Sequence, residues 1–169
     1  MFQSNKEYIN FLIQSGVHTF LKETPNKLLE NQQNHSKSKE KKELKKLDEI
    51  TEIEELIPLI SNHKSLLKDN AKKMVLYDGN INSNLMIIGE APGQEEDEQG
   101  IPFVGRAGQL LNKMLSAIDL NRKNIYITNV VPWRPPQNRT PSDQEILDFL
   151  PFLQRQIEII KPQILYILG

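Results

Sequence analysis

Two short stretches of the chain carry residue types that could do chemistry. The first runs Gly89-Glu90-Ala91-Pro92-Gly93 and continues through Gly100, Pro102, Phe103, Val104 and Gly105 to Gly108. It holds more glycine than a connection needs, so its backbone can turn sharply or approach a ligand, while Pro92 and Pro102 stiffen it. A rigid loop of this kind, with exposed amides and a placed carboxylate, can hold a base. Phe103, in an otherwise polar loop, offers a stacking face for a planar ring or a plug onto the core. The second stretch is Asn129-Val130-Val131-Pro132-Trp133-Arg134-Pro135-Pro136-Gln137-Asn138-Arg139-Thr140. The Asn129 amide presents one donor group and one acceptor to a base edge. Arg134 and Arg139, beside Trp133 on a proline-stiffened loop, suit phosphate contacts and a stacked nucleotide; a turn with salt-bridged arginines fits the same residues.

These loops need elements to hold them. Leu85 to Ile88 is a short apolar run closed by Gly89 and predicts a buried strand. Ala107, Leu110, Leu111, Met114, Leu115 and Ile118 follow at helical spacing. A second strand is expected over Ile125 to Val131, rich in β-branched residues. Thr140-Pro141-Ser142-Asp143 has the form of a helix start, with a hydroxyl cap, a proline in the first turn and acids at the positive end of the dipole. Ile146, Phe149, Leu150, Leu153, Ile157 and Ile160 form its buried stripe, with a kink expected near Pro151 and a stop at Lys161-Pro162. Ile164 to Leu168 is a third strand. Strand, loop, helix repeated in this order predicts a parallel sheet wound with helices, whose ligands bind outside the carboxyl ends of the strands. The two loops should therefore lie side by side over one crevice. Upstream, Ile50 to Leu67 forms one or two helices through Ile53, Leu56, Ile57 and Ile60, with a break expected at Pro58.

The 169 residues fit one α/β domain, and the balance of 21 Lys+Arg against 22 Asp+Glu gives a net charge of -1. Any nucleic-acid contact must then come from a local patch. There is no cysteine, which excludes disulfides, thiolate zinc sites and cysteine-ligated iron-sulfur clusters in this chain. His18, His35 and His63 lack metal-ligand spacing. No apolar run reaches the roughly 18 residues of a membrane span, and Met1 to Lys22 lacks the charged-then-apolar order of a signal peptide, so a cytoplasmic location is expected. Residues 1–30 are read as an N-terminal helical segment through Tyr8, Phe11, Leu12 and Val17. Residues 31–48, with Lys37, Lys39, Lys41, Lys42, Lys45 and Lys46 among Glu40 and Glu43, are read as a charged, disordered linker, or else a basic arm on phosphates. Residues 49–169 form the α/β domain.

Taken together, the two loops resemble the family-four uracil-DNA glycosylases. The likeness covers Met74 to Gly169. It rests on Gly-Glu-Ala-Pro-Gly at 89 to 93, the run through Asp97, Gly100, Pro102-Phe103-Val104-Gly105 and Ala107-Gly108, Thr128-Asn129-Val130-Val131, and Arg134-Pro135-Pro136 with Asn138-Arg139 and Pro141. The fold implied is a three-layer α/β/α domain with a central parallel sheet. The activity implied is hydrolysis of the N-glycosidic bond of uracil in DNA, with uracil-containing DNA as partner. By the resemblance Glu90 is the catalytic residue, and Gly89, Ala91, Pro92 and Gly93 build the uracil pocket. Phe103 stacks on the flipped base and Asn129 reads its edge, while Arg134, Pro135, Pro136, Asn138 and Arg139 face DNA.

Two departures from the family pattern follow. Most members hold a four-iron cluster on four cysteines, one of them just before Arg-Pro-Pro. Here Trp133 takes that place, so no such cofactor is expected and the chain is similar to cluster-free relatives, with Trp133 packing in place of the metal's bracing. The family also continues past Gly169 into further helices, a strand and a His-Pro motif, so the fold is expected to be incomplete at the C-terminus. Three functions fit: an active glycosylase, completed by a separately encoded C-terminal fragment; a catalytically impaired remnant that binds DNA or uracil; and a nucleotide-binding α/β module. The last needs a phosphate loop the sequence lacks, and Glu95-Glu96-Asp97-Glu98, expected as a solvated loop face, would repel phosphate.

Overall fold

The computed structural model describes residues 47–168; the readings of residues 1–30 and of 31–46 lie outside them. Leu47 is buried, and the Arg155 guanidinium donates to the carbonyls of Asp48, at 3.1 Å, and Ile50, at 2.9 Å. Residues 47 and 48, which the sequence assigns to the linker, thus contact the helix that carries Arg155 or lie buried beside the residues that follow.

A 3₁₀ turn at Ile53–Glu55 leads into α1 (Leu56–Asn62) and α2 (Leu66–Asn70). Pro58 does not break the helix there. It is the third residue of α1, inside the first turn, where a missing N–H leaves no helical hydrogen bond unmade. The chain then forms β1 (Tyr77–Gly79), β2 (Leu85–Gly89), α3 (Gln94–Gln99), α4 (Arg106–Ser116), β3 (Tyr126–Asn129), α5 (Asp143–Ile160) and β4 (Ile164–Ile167). The cap of α5 is Ser142 rather than Thr140: its hydroxyl accepts the Glu145 N–H and the Glu145 carboxylate accepts the Ser142 N–H, so the helix starts two residues later than the sequence suggests. Pro151 lies within this one helical segment, and Lys161, in the left-handed region at φ 50°, ends it.

The strands form one sheet in the order β1-β3-β2-β4. β2 pairs in parallel with both β3 and β4, as expected, but β1 joins β3 antiparallel, so the sheet is mixed and not wholly parallel. Alternation along the strands sorts the helices onto two faces. On one face Leu111 and Leu115 of α4, one turn apart, pack against Ile87, Ile125 and Ile127. The side chains of Tyr126 and Thr128 point the other way. There the Tyr126 hydroxyl donates to Gln156 of α5 at 2.9 Å, and Thr128 donates to the Leu76 carbonyl at 2.6 Å. Burial pushes the Tyr126 phenol well up from its ordinary pKa, so it remains a hydrogen-bond donor. The result is three layers, α4 over sheet over α5. Each buried Ile or Leu in this core is worth about 1.5–3 kcal/mol.

The apolar stripe of α4 is wider than its buried face. Leu110 and Met114 are exposed, as are Ile118 just beyond the helix and Ile164, Tyr166 and Ile167 of the edge strand β4.

Candidate functional site

The register of β2 against β3 builds the site. Gly89 is the Cα partner of Asn129, so the loops after the two strands leave the sheet at the same level. Two further hydrogen bonds, Val130 N–H to the Gly89 carbonyl at 2.8 Å and Val131 N–H to the Glu90 carbonyl at 3.2 Å, extend that pairing. Gly89 is glycine because two side chains close over it: a Cβ there would lie 2.5 Å from Asn129 Oδ1 and 2.5 Å from the Phe103 ring. Phe103 and Asn129 thus converge on one glycine at the carboxyl end of the sheet, as the two loops lead one to expect.

A cleft of about 540 Å³ opens at this point, lined by Ala91, Gly93, Phe103 and Asn129 from the sequence expectations and reached by Asn138 from the second loop. Asn129 is only 4% exposed, yet no hydrogen bond engages its side-chain amide among the described residues. Glu90 directly precedes the lining, with its side chain exposed, while Pro92 and Pro135 are buried and Pro136 begins a 3₁₀ turn, Pro136–Asn138.

The acidic run proves to be structural. Instead of a solvated loop face, Gln94–Gln99 is the helix α3, and two of its carboxylates hold the loop from inside. Glu96 accepts the N–H groups of Gly93 at 3.1 Å, Val104 at 2.9 Å and Gly105 at 2.8 Å, which joins the start of the loop to its end. Asp97, 1% exposed, accepts the N–H groups of Lys72 at 2.7 Å and Lys73 at 3.2 Å and faces Arg134 Nη1 at 3.8 Å. Charge-assisted bonds of this type contribute about 1.5–3 kcal/mol each. Sequence alone could not separate these acids from their solvated neighbours Glu95 and Glu98, because the distinction lies in the amides that meet them.

Phe103 carries backbone strain. Its φ of 55° is in the left-handed region, which costs a bulky residue about 1–3 kcal/mol and persists only where surroundings impose it. Those surroundings are visible. The Gly108 Cα packs on the Phe103 carbonyl, where a Cβ would come within 1.7 Å of the oxygen. From another side Arg122 donates Nη1 to the Phe103 carbonyl at 2.9 Å and Nη2 to the Pro102 carbonyl at 2.6 Å. No sequence signal marked Arg122.

The arginines of the second loop have partners within the protein. Arg139 makes a two-point ion pair with Glu145, at 2.7 and 2.6 Å, and Arg134 donates Nε to Asn138 Oδ1 at 2.6 Å. The hydrogen bond from Arg139, helped by the Ser142 cap, lowers the Glu145 carboxyl to about 2. Trp133 is buried, and its indole N–H has no acceptor among the described residues. With Trp133 preceding Arg134-Pro135-Pro136 and no cysteine anywhere in the chain, the residues present do not fit an iron-sulfur cluster. Among the described residues no group of three His, Cys, Asp or Glu could hold a metal ion, and no helix is long and apolar enough to cross a membrane.

A three-layer α/β domain in which a glycine-rich loop and an asparagine meet over a cleft at paired strand ends is thereby defined. Its family is explicit in the sequence comparison: the model of the uracil DNA glycosylase superfamily matches residues 76–169, and the chain belongs to that superfamily. It is similar to the type-4 uracil-DNA glycosylase of Pyrobaculum aerophilum, 48% identical over 112 residues that cover 66% of this chain and 57% of the relative. The type-4 enzyme of Saccharolobus solfataricus is 50% identical over 99 residues, 58% of this chain and 46% of the relative. That of Thermotoga maritima is 46% identical over 100 residues, 59% of this chain and 52% of the relative. The chain spans about half the length of these curated relatives.

Proposed function

We propose that this chain carries the base-binding half of a uracil-DNA glycosylase site and hydrolyses the N-glycosidic bond of uracil in DNA, the first step of base excision repair. The observation that carries the reading is the convergence of the Phe103 ring and the Asn129 amide on Gly89 within the cleft of a superfamily member. Uracil has to leave the helical stack to be reached, at a cost of a few kcal/mol, and stacking with edge hydrogen bonds recovers it. Phe103 supplies the stacking face. Asn129, buried and with no side-chain hydrogen bond among the described residues, supplies one acceptor and a donor group to the pyrimidine edge.

As the bond to C1′ stretches, positive charge grows on the sugar and negative charge on the base. Glu90, exposed where β2 ends, orients water or stabilises the cation. The nearby backbone of Ala91 to Gly93 lies against the leaving base. No lysine attacks the sugar, so the product is an abasic site in an uncut strand. The second loop meets the DNA backbone. Arg139, half exposed, keeps N–H groups beyond those given to Glu145 for a phosphate, while Arg134 fixes Asn138 at the cleft. In this reading the site works without an iron-sulfur cluster, and the buried Trp133 side chain fills the loop.

Uracil release from single-stranded and duplex oligonucleotides tests the proposal, with Glu90→Gln and Asn129→Ala as controls. We expect release by the wild-type chain, falling at least about tenfold in each variant while circular dichroism shows both folded. Equal rates in all three would refute the assignment of the site. Tight uracil-selective binding without release would instead identify a non-catalytic uracil binder.

A further inference from the structure

We propose that Arg122, together with Asp78, is a specificity-determining positioning pair that sets the Phe103 ring over the cleft without touching the base. The inference rests on the stacking role given to Phe103 above. Arg122 does not line the cleft, yet it controls the backbone from which the ring projects. One guanidinium plane spans three acceptors: the carbonyls of Pro102 at 2.6 Å and Phe103 at 2.9 Å, and Asp78 Oδ2, reached from Nε at 2.6 Å. Asn112 of α4 lies at a longer 3.4 Å from Nη1. The two carbonyls belong to the residue held at φ 55° and to its neighbour, so the fork acts where the chain would otherwise relax.

The geometry needs arginine. Its donors radiate in one rigid plane, so two successive carbonyls and a carboxylate can be served at once, whereas the single ammonium of lysine cannot span the same arc. Asp78 belongs to β1, the antiparallel edge strand, and Arg122 opens the 3₁₀ turn Arg122–Asn124 just before β3. Because β1 pairs with β3, the carboxylate and the guanidinium are both anchored to the sheet that also carries Asn129. The ring and the amide that face each other across Gly89 are thereby referred to one frame. A base that stacks on Phe103 then meets Asn129 at a fixed offset, which is the condition for distinguishing one pyrimidine from another.

The experiment uses the full chain with 4-fluorophenylalanine in place of its six phenylalanines, the Phe103 resonance being assigned by Phe103→Leu. In Arg122→Lys that line shifts or broadens while lines remote from the loop stay put. Unlabelled protein is then titrated with fluorescein-labelled single strands carrying one uracil or one thymine at the same site. The uracil-to-thymine affinity ratio falls about tenfold in Arg122→Lys and in Phe103→Ala. The double variant is no worse than Phe103→Ala alone, because the arginine acts through the ring. An unmoved fluorine line, or a double variant whose loss is the product of the two single losses, overturns the positioning role. If Phe103→Ala itself leaves the ratio unchanged, the stacking reading is what fails. Should Arg122→Lys not fold, Asp78→Asn, which keeps the guanidinium and weakens only its anchor, carries the same test with a smaller shift.

Discussion

Gly108→Ala measures how tightly the loop and helix α4 are locked together. Alanine exceeds glycine in helix propensity by about 1 kcal/mol, so at an unencumbered helix position the exchange would stabilise. At Gly108 the new methyl would sit 1.7 Å from the Phe103 carbonyl oxygen, 2.1 Å from its carbon and 2.8 Å from Phe103 Cα. Ordinary contact requires well over 3 Å, and the obstacle is backbone, which cannot swing aside like a side chain. Either α4 or the Pro102-Phe103 segment must move by more than an ångström. Moving the segment strips Arg122 of two charge-assisted bonds, about 1.5–3 kcal/mol each, part of which the flexible guanidinium regains by following. Moving the helix lifts Leu111 and Leu115 off Ile87 and Ile127. Overpacking of this kind costs about 1–3 kcal/mol. Against a backbone obstacle the upper end of about 3 kcal/mol applies, so after the propensity gain of about 1 kcal/mol the net loss is about 2 kcal/mol, a fall in Tm of roughly 4–8 °C at this chain length. Thermal unfolding followed by circular dichroism reads it. An unchanged or raised Tm would refute the close packing of Gly108 on Phe103, and with it the account of how the ring is held.

Asp97→Ala should destabilise by about 2–5 kcal/mol in urea unfolding, since the N–H groups of Lys72 and Lys73 lose their acceptor. Asp97→Asn should cost less, because one oxygen can still take both; a loss under about 0.5 kcal/mol for the alanine variant would contradict the clamp. The Glu145 carboxyl, held at about 2 by the Arg139 hydrogen bond against an unfolded value near 4.5, stabilises the fold above pH 4.5, and that contribution fades as the pH falls towards 2. With Arg139 half exposed the effect is about 1 kcal/mol, so the Tm gap between wild type and Glu145→Gln should narrow from pH 7 to pH 3; a constant gap would count against it. Trp133→Phe should stay within about 1 kcal/mol of wild type, as lost contacts are offset by removal of a buried N–H that has no acceptor among the described residues. A loss beyond about 3 kcal/mol would show that the indole N–H has a bound partner.

The parts legible in the sequence are those whose signal is local. The apolar run before Gly89 and the i, i+4 spacing of Leu111 and Leu115 each carry their own period, and Gly89 announces a close approach by lacking a side chain. β1 was invisible because Tyr77-Asp78-Gly79 is three residues with little strand character; only pairing with β3 makes it a strand. α3 has no apolar residue to set a period, and its six residues are organised by a cap and by the amides that meet Glu96 and Asp97. The cap of α5 is not legible in the sequence because Thr140 and Ser142 are chemically alike and differ only in which N–H each can reach. Of the site, Phe103 and Asn129 could be read from residue type and position. Arg122 could not, since its meaning depends on two carbonyls nineteen and twenty residues away.

The pairing of Gly89 with Asn129 makes the width at the base of the cleft a property of the sheet and not of the loops. Neighbouring strands lie about 4.8 Å apart, whatever their side chains. Insertions or exchanges in either loop can therefore alter what surrounds the cleft while leaving the spacing of Gly89 and Asn129 at its base untouched. A slip of one residue in the β2–β3 register would do the reverse: Asn129 would rotate to the opposite face, and every loop residue could remain in place around a site that no longer had its amide.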